Sequence, residues 1–489
     1  MVSYLYFKPL ASQIMSNVET LSAPLSLPAD AGFSRALAER SVALSAQDLD
    51  PSVWHWAKVG ILDTLGVTLA GSQESASRLI ERTLAPSPGP ALLLGQNRRV
   101  GVLDAAMING TASHALDFDD CNNTMGGHPS VPVLSALLPL GEQLGSTGAD
   151  WVLAYVTGFE VETKLALAVN FHHYQKGWHP TATLGVFGAA AACAKLLGLD
   201  VERTATALAI AASFASGIKA NFGTMTKPLH VGQSARNGLL AAQLAAQGFT
   251  ANAETVFEHE QGFLDVFNGP GTYDVARGLQ AWAAPLDIVS PGIAIKQYPC
   301  CGSTHPAIDA MLALQRAHRP DPARVQRIEA WIHPRRLKHT HRPVLASALD
   351  AKFSLQYVLA RALLDGHVSV DQFEGRMHED EQVLALMRRI EVAGYDERLF
   401  PADNHFGGAV RITLDDGSTW QAQVEQALGR TSAHPLPTEL LEAKFDLCAR
   451  PVLSDADCAE VKQHIAHIET LEDIRRLGRA LEPSTARKS

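Results

Sequence analysis

Residues 50–71, DPSVWHWAKVGILDTLGVTLAG, carry the pattern that decides the fold. An aspartate can cap the exposed N–H groups of a helix start, and proline fits the first helical position because no N–H is needed there. Behind this Asp50-Pro51 pair, Val53, Trp56, Ile61, Leu65 and Val67 fall at roughly helical spacing before Gly71, so the run predicts a helix with one buried stripe. Comparable Ala- and Leu-rich runs follow at 132–144, 150–169, 181–197, 202–216 and 234–247, with 86–90 (PSPGP) as a clear loop between two of them. Together they predict a large all-α domain over 36–288, preceded by a loose extension at 1–35.

Farther along, the period changes. Residues 325–332 alternate like a strand, and 409–414 and 419–424 flank Asp415-Asp416-Gly417-Ser418 as a hairpin would. Helical runs at 355–364 and 380–389 lie between, so 289–436 reads as a smaller α+β domain. From 437 to 489 the pattern is helical again, with Asp455 or Asp457 as a cap, and this tail is expected to pack back onto the first domain. The fold class is therefore mainly α, with a helical domain built from both chain ends and a smaller α+β domain.

Composition narrows the function. The 489 residues are 46% hydrophobic and 19% charged, as in an ordinary globular chain, and the net charge of −10 without a dense Lys/Arg block argues against nucleic acid. The longest uncharged stretches, 121–141 and 177–194, open on polar residues, Gly, His and Pro, so no membrane span is expected. The N-terminus lacks a charged region followed by an apolar core, and the six cysteines form no C-x-x-C pair; both suit a reduced, cytoplasmic setting. There is no P-loop, no G-x-G-x-x-G after a strand, no H-E-x-x-H and no G-x-S-x-G, which directs the search to acid–base chemistry without a cofactor.

Four polar segments are candidates for it. In 113–121 (SHALDFDDC) and 126–130 (GGHPS), carboxylates such as Asp117 beside His128 can set an imidazole's charge or tautomer; the alternative is a solvated turn between helices. A metal on Asp117 and Asp120 would lack a second ligand cluster, so none is expected. In 177–181 (GWHPT), His179 stands at a helix start, where the dipole disfavours the imidazolium and free N–H groups attract carboxylates; otherwise it is a capping residue. His172 and His173 read as surface residues. In 224–230 (TMTKPLH), a polar break before the helix from Ser234, Lys227 can face a substrate carboxylate or stand in solvent. In 296–306 (KQYPCCGSTHP), Lys296 is a second cation and the small polar residues a second anion nest, with buried structural thiols as the default for Cys300 and Cys301.

Taken in order, HALDFDD, GGHPS, GWHPT, TKPLHVG and CCGSTH resemble the MmgE/PrpD family, which holds 2-methylcitrate dehydratase, iminodisuccinate epimerase and cis-aconitate decarboxylase. The resemblance spans about 37–477 and implies a helical domain from both chain ends, an α+β lid, an active site between them and a homodimer. It implies that Asp117, His128 and His179 are catalytic, the histidines moving protons, and that Lys227 and Lys296 hold carboxylates. Cys121 stands where the animal decarboxylase has threonine and His339 roughly where it has tyrosine, which makes both substrate-binding candidates that bear on specificity. The expected function is a cofactor-independent lyase or isomerase of a small di- or tricarboxylate, first the decarboxylation of cis-aconitate to itaconate. Epimerisation of an iminodisuccinate-type diacid and dehydration of a 2-methylcitrate-type acid stand next, and a non-catalytic carboxylate-binding helical oligomer is the alternative from another class.

Overall fold

In the computed structural model, which describes residues 32–483 apart from Ala281 and Ala284, Asp50 caps the helix Pro51–Gly71 as its sequence predicts. Its Oδ1 accepts from the N–H groups of Ser52 and Val53 at 2.7 and 3.1 Å. The predicted stripe is buried, but so is nearly every other side chain from Ile61 to Leu69, Asp63 included. The reason is the helix Thr438–Ala449, whose Phe445 lies against Gly66 and whose Lys444 Nζ donates to Asp63 and, at 2.8 Å, to the Phe118 carbonyl. Burial disfavours the Asp63 anion and raises its pKa despite this partner; removing the lysine would leave a buried carboxylate unpaired, at a cost of about 3 to 5 kcal/mol.

The chain divides into two units, one of 32–297 with 429–483 and one of 298–428. Residues 289–297, drawn by the sequence into the α+β domain, group with the helical unit, and Lys296 goes with them. The expected extension lies outside the described residues up to 31, whereas residues 33–35 are already helical. Ser34 there accepts from the Phe257 N–H at 3.1 Å and Phe33 meets the Phe257 ring edge-on at 5.6 Å, which ties the first helix down.

Long helices form the core of the first unit: Val102–His114, Ser130–Leu144, Gly148–Val169, Gly185–Leu196, Val201–Phe214 and Thr226–Ala246. Val102–His114 and Thr226–Ala246 cross with almost no side chain between them, since a Cβ on Gly110 would lie 2.8 Å from the Gly232 Cα. That close approach brings the last turn of one helix, ending in His114, beside the first turn of the other, which begins at Thr226. The helix Asp455–Ala466 starts in a capping box: the Ser454 side chain accepts from the Asp457 N–H and the Asp457 carboxylate accepts from the Ser454 N–H, so Ser454 is the cap residue and Asp457 its partner. Val461, Ile465 and Ile468 then join the main core, as expected of the tail.

In the second unit, a four-stranded sheet has the order Ile390–Gly394, Val325–Ile332, Gly408–Leu414, Thr419–Val424. The first pair is parallel and the others antiparallel, with Ile328 opposite both Ile390 and Ile412. The predicted hairpin is present, and the helices His305–His318 and Leu355–Asp365 bury Ile308, Met311, Leu359 and Leu363 with the sheet residues Ile328 and Ile412. The parallel strand Ile390–Gly394 is a five-residue edge strand whose only strand-favouring residues are Ile390 and Val392, and the sequence reading does not include it.

Candidate active site

Asp117 is the centre of the site. It follows the helix Val102–His114 in a turn where its φ is +53°, a left-handed conformation that aspartate tolerates better than most residues. The turn presents both its carboxylate and its carbonyl to Lys296, whose Nζ lies 3.1 Å from Oδ1 and donates to the carbonyl at 2.6 Å. Lys227 Nζ donates to the same Oδ1 at 2.6 Å, and His128 Nε2 stands 3.8 Å from it. Burial alone would raise the Asp117 pKa, but Lys227, Lys296 and His128 hold it well below the usual carboxylate range.

Lys227 reaches Asp117 because the segment TKPLH is not a loop. The helix starts at Thr226, eight residues before the expected Ser234, and Pro228 is accommodated because its missing N–H lies in the first turn. Residues 227 and 230 are one helical turn apart and share a face.

A second carboxylate, Asp119, orders the imidazoles. It is fully buried; its Oδ2 lies 2.8 Å from His114 Nδ1 and 3.0 Å from His128 Nδ1. One carboxylate shared by two rings supports one imidazolium. Burial pushes His114 down to about 4 against the pull of Asp119, while at His128 the burial penalty is outweighed by Asp119 and Cys121, which hold its pKa up at about 10. His128 is therefore the charged ring at neutral pH. The Cys121 Sγ lies 3.7 Å from His128 Nδ1, and although burial disfavours its thiolate, His128, Lys296 and Arg430 lower its pKa overall. Its backbone pairs with Ala294 in an isolated bridge, which places the 121 loop beside the segment that carries Lys296.

His179 lies at the far side of His114. The two rings stack with centroids 5.6 Å apart, Phe222 meets His179 edge-on at 4.8 Å, and His179 Nδ1 is 3.2 Å from His230 Nδ1. Burial, then the charges of His114, Lys227 and His128, push the His179 pKa well below its ordinary value, so this ring is neutral. His128 N–H also donates to Thr181 Oγ1 at 3.1 Å, which ties the GGHPS loop to the GWHPT turn.

The structure thus brings together Asp117, His128, His179, Lys227, Lys296 and Cys121. His339 belongs to the second unit, where its Nε2 meets Ser303 Oγ at 3.1 Å and Arg336 donates to the same oxygen at 3.0 Å. His173 is not a surface residue: it is buried, its Nε2 lies 2.7 Å from Thr183 Oγ1, and burial lowers its pKa to about 4. Sequence reasoning passed over His114, Asp119 and His230 as site residues, although each lies inside a segment it singled out. The signal for His230 was its three-residue spacing from Lys227; for His114 and Asp119 it was invisible without knowing how the turn folds.

One ligand atom each from His114, Asp117, Asp119 and His128 falls within 4.8 Å of the others, close enough to hold a metal ion. The chemistry of the set fits an anion better. Two lysines already pair with Asp117 and His128 carries a proton, so a divalent cation would meet three positive charges. Those three cations, Lys227, Lys296 and His128, face the two carboxylates of Asp117 and Asp119.

Comparison with known proteins shows the family. Residues 35–276 match the MmgE/PrpD N-terminal domain and residues 298–470 the MmgE/PrpD C-terminal domain. The chain is 33% identical to a cis-aconitate decarboxylase of Homo sapiens over 88% of its length and 90% of the relative's. It is 28% identical to one from Aspergillus terreus (91% and 95% covered) and 22% identical to a 2-methylcitrate dehydratase of Salmonella typhimurium (79% and 84% covered). Among the described residues no helix is long and apolar enough to cross a membrane. With both domain matches covering most of its length, the chain belongs to the MmgE/PrpD family.

Proposed function

We propose that this protein is a lyase of a small di- or tricarboxylate that works by acid–base chemistry on its own side chains, and that its reaction is the decarboxylation of cis-aconitate to itaconate. The observation that carries the reading is geometric: His128 and His179 lie against opposite sides of the His114 ring, beside two lysines gathered at the Asp117 carboxylate. The identity to cis-aconitate decarboxylases supports the choice of substrate.

The chemistry asked of the site is modest. When the bond to the departing carboxylate breaks, its electron pair spreads over the adjacent double bond as an allylic carbanion, and the carbon beside a remaining carboxylate takes up one proton. CO2 leaves and the double bond moves. Fixed positive charge from Lys227 and Lys296 holds the carboxylates and stabilises the developing charge, and His128 supplies the proton. His179, neutral, receives or orients a proton on the other side of His114.

An acid and a base in one site also suit epimerisation of an iminodisuccinate-type diacid, in which one group removes and the other returns a proton at a single carbon. Dehydration of a 2-methylcitrate-type acid needs the same pair, and a dehydratase is among the relatives. Incubation of the protein with cis-aconitate, iminodisuccinate and 2-methylcitrate in deuterated water, followed by NMR, separates these. The reading expects itaconate carrying one solvent deuterium on its methylene beside a carboxylate. Exchange without decarboxylation points to the epimerase, loss of water to the dehydratase, and binding with neither turnover nor exchange to a carboxylate-binding protein.

A further inference from the structure

Proton chemistry at a buried histidine needs a route for the proton, and at His179 one neighbour offers it. His179 is 2% exposed, with Phe222 against its edge and His114 stacked on its face. The polar contact at its Nδ1 is His230 Nδ1, 3.2 Å away. His230 is only half-buried, and among the described residues its Nε2 meets no hydrogen-bond partner. We propose that His230 is a positioning residue that couples the tautomer of His179 to its own and passes protons between it and solvent. The proposal rests on the reading of His179 as a proton-transfer group.

The contact joins two Nδ1 atoms, so one must donate and the other accept, and the tautomers of the rings are locked to one another. When His179 takes a proton at Nε2, its Nδ1–H donates to His230 Nδ1, and His230 keeps its own proton on Nε2. Transfer across the contact breaks the N–H bond at His179 Nδ1 and makes one at His230 Nδ1. Release of the Nε2 proton from His230 to water then leaves both rings neutral, with the charge carried away. The reverse sequence reloads His179.

The surroundings favour passage over storage. Lys227 on the same helix, with His114 and His128 across the site, disfavours a lasting charge on His179, and burial followed by Lys227 does the same at His230. The backbone holds the pair in register. The Gly217 carbonyl accepts from the His179 N–H at 3.0 Å, and a Cβ on Gly217 would lie 3.3 Å from the His230 Cγ and 3.0 Å from the Ala182 Cβ. Gly217 also has a φ of +114°, where a side chain is strained, so only glycine lets this turn lie flat against both. Lys227 and His230 thus divide one helix face between two tasks, anchoring Asp117 and serving His179.

The test uses the full chain with cis-aconitate as substrate, in His230→Ala, His230→Asn and, as reference, His179→Gln. Asparagine can occupy the Nδ1 position and bond to His179 but cannot carry a proton onward. Both His230 variants should lose at least roughly tenfold in kcat with KM little changed, and added imidazole should restore the alanine variant in proportion to its concentration. Wild-type kcat in either variant, or full activity in the asparagine variant beside an alanine variant that imidazole does not rescue, would overturn the relay. If His230→Ala does not fold, the asparagine variant decides alone. Should His179→Gln itself keep wild-type turnover, the reading of the site fails; if it is inactive while His230→Ala is not, only the relay fails.

Discussion

Replacing Asp119 by asparagine should shift the pH range in which the site works. Asp119 Oδ2 sits 3.0 Å from His128 Nδ1, and burial of that ring is outweighed chiefly by this carboxylate, which holds the pKa at about 10. Without that charge burial works against the pull of Cys121 alone, and the His128 pKa should fall towards its ordinary value of about 6.5. A fall all the way to that value is roughly 3 to 4 units, equivalent to about 5 kcal/mol of interaction with the charged ring. At pH 8 only about one variant molecule in thirty would then carry the proton. Between pH 6 and pH 8, kcat/KM of Asp119→Asn should fall roughly thirtyfold while the wild type stays level. Stability follows the same linkage. A raised pKa stabilises the fold fully below the unfolded value of about 6.5, and that contribution is lost as pH climbs towards the folded value. Wild-type melting temperature should therefore decline from pH 7 to pH 10, and the variant should lack that slope. Nitrogen NMR of labelled histidine reads the titration directly. A variant whose activity profile and His128 titration superimpose on the wild type would refute the role given to Asp119.

Other consequences concern the cations and the thiol. Lys227→Ala and Lys296→Ala should each weaken binding of the substrate roughly tenfold to a hundredfold, as expected when a charge-assisted pair of about 1.5 to 3 kcal/mol is lost; calorimetric titration with cis-aconitate checks it, and unchanged affinity in both would remove them from the site. Cys121, partly exposed and paired with His128, should react with iodoacetate at neutral pH well before Cys448, whose pKa burial pushes up to about 12, and bound substrate should slow it. Peptide mapping by mass spectrometry after timed alkylation measures both; equal labelling of the two cysteines would contradict the lowered pKa of Cys121.

Much of this was legible in the residues. The Asp-Pro start of the helix Pro51–Gly71 and the alternating strands 325–332, 409–414 and 419–424 obey local rules, and local rules can be read in one dimension. The helix starting at Thr226 was misplaced because Pro228 and the polar Thr, Lys and His resemble a loop, although a first turn tolerates all of them. The all-round burial of 61–69 depends on a helix nearly 400 residues later, with Lys444 supplying the charge that lets Asp63 lie inside. At the site, the segments were evident from clustered His, Asp and Lys, and Asp117, His128, His179, Lys227 and Lys296 do converge with Cys121. What the spacing did not hold was the division of labour. It takes the left-handed turn at Asp117 and the sharing of Asp119 to decide that His128 is charged and His179 is not.

Proton transfer by those two histidines is tested most directly by the turnover and melting temperature of His128→Gln and His179→Gln beside the wild type. Acid–base groups in position contribute about a hundredfold to ten-thousandfold in rate. Both variants should melt close to the wild type and turn over cis-aconitate at least roughly a hundredfold more slowly, with the little itaconate they form still carrying one solvent deuterium. Wild-type turnover in both, or a loss that tracks unfolding alone, would make the histidines structural and contradict the mechanism.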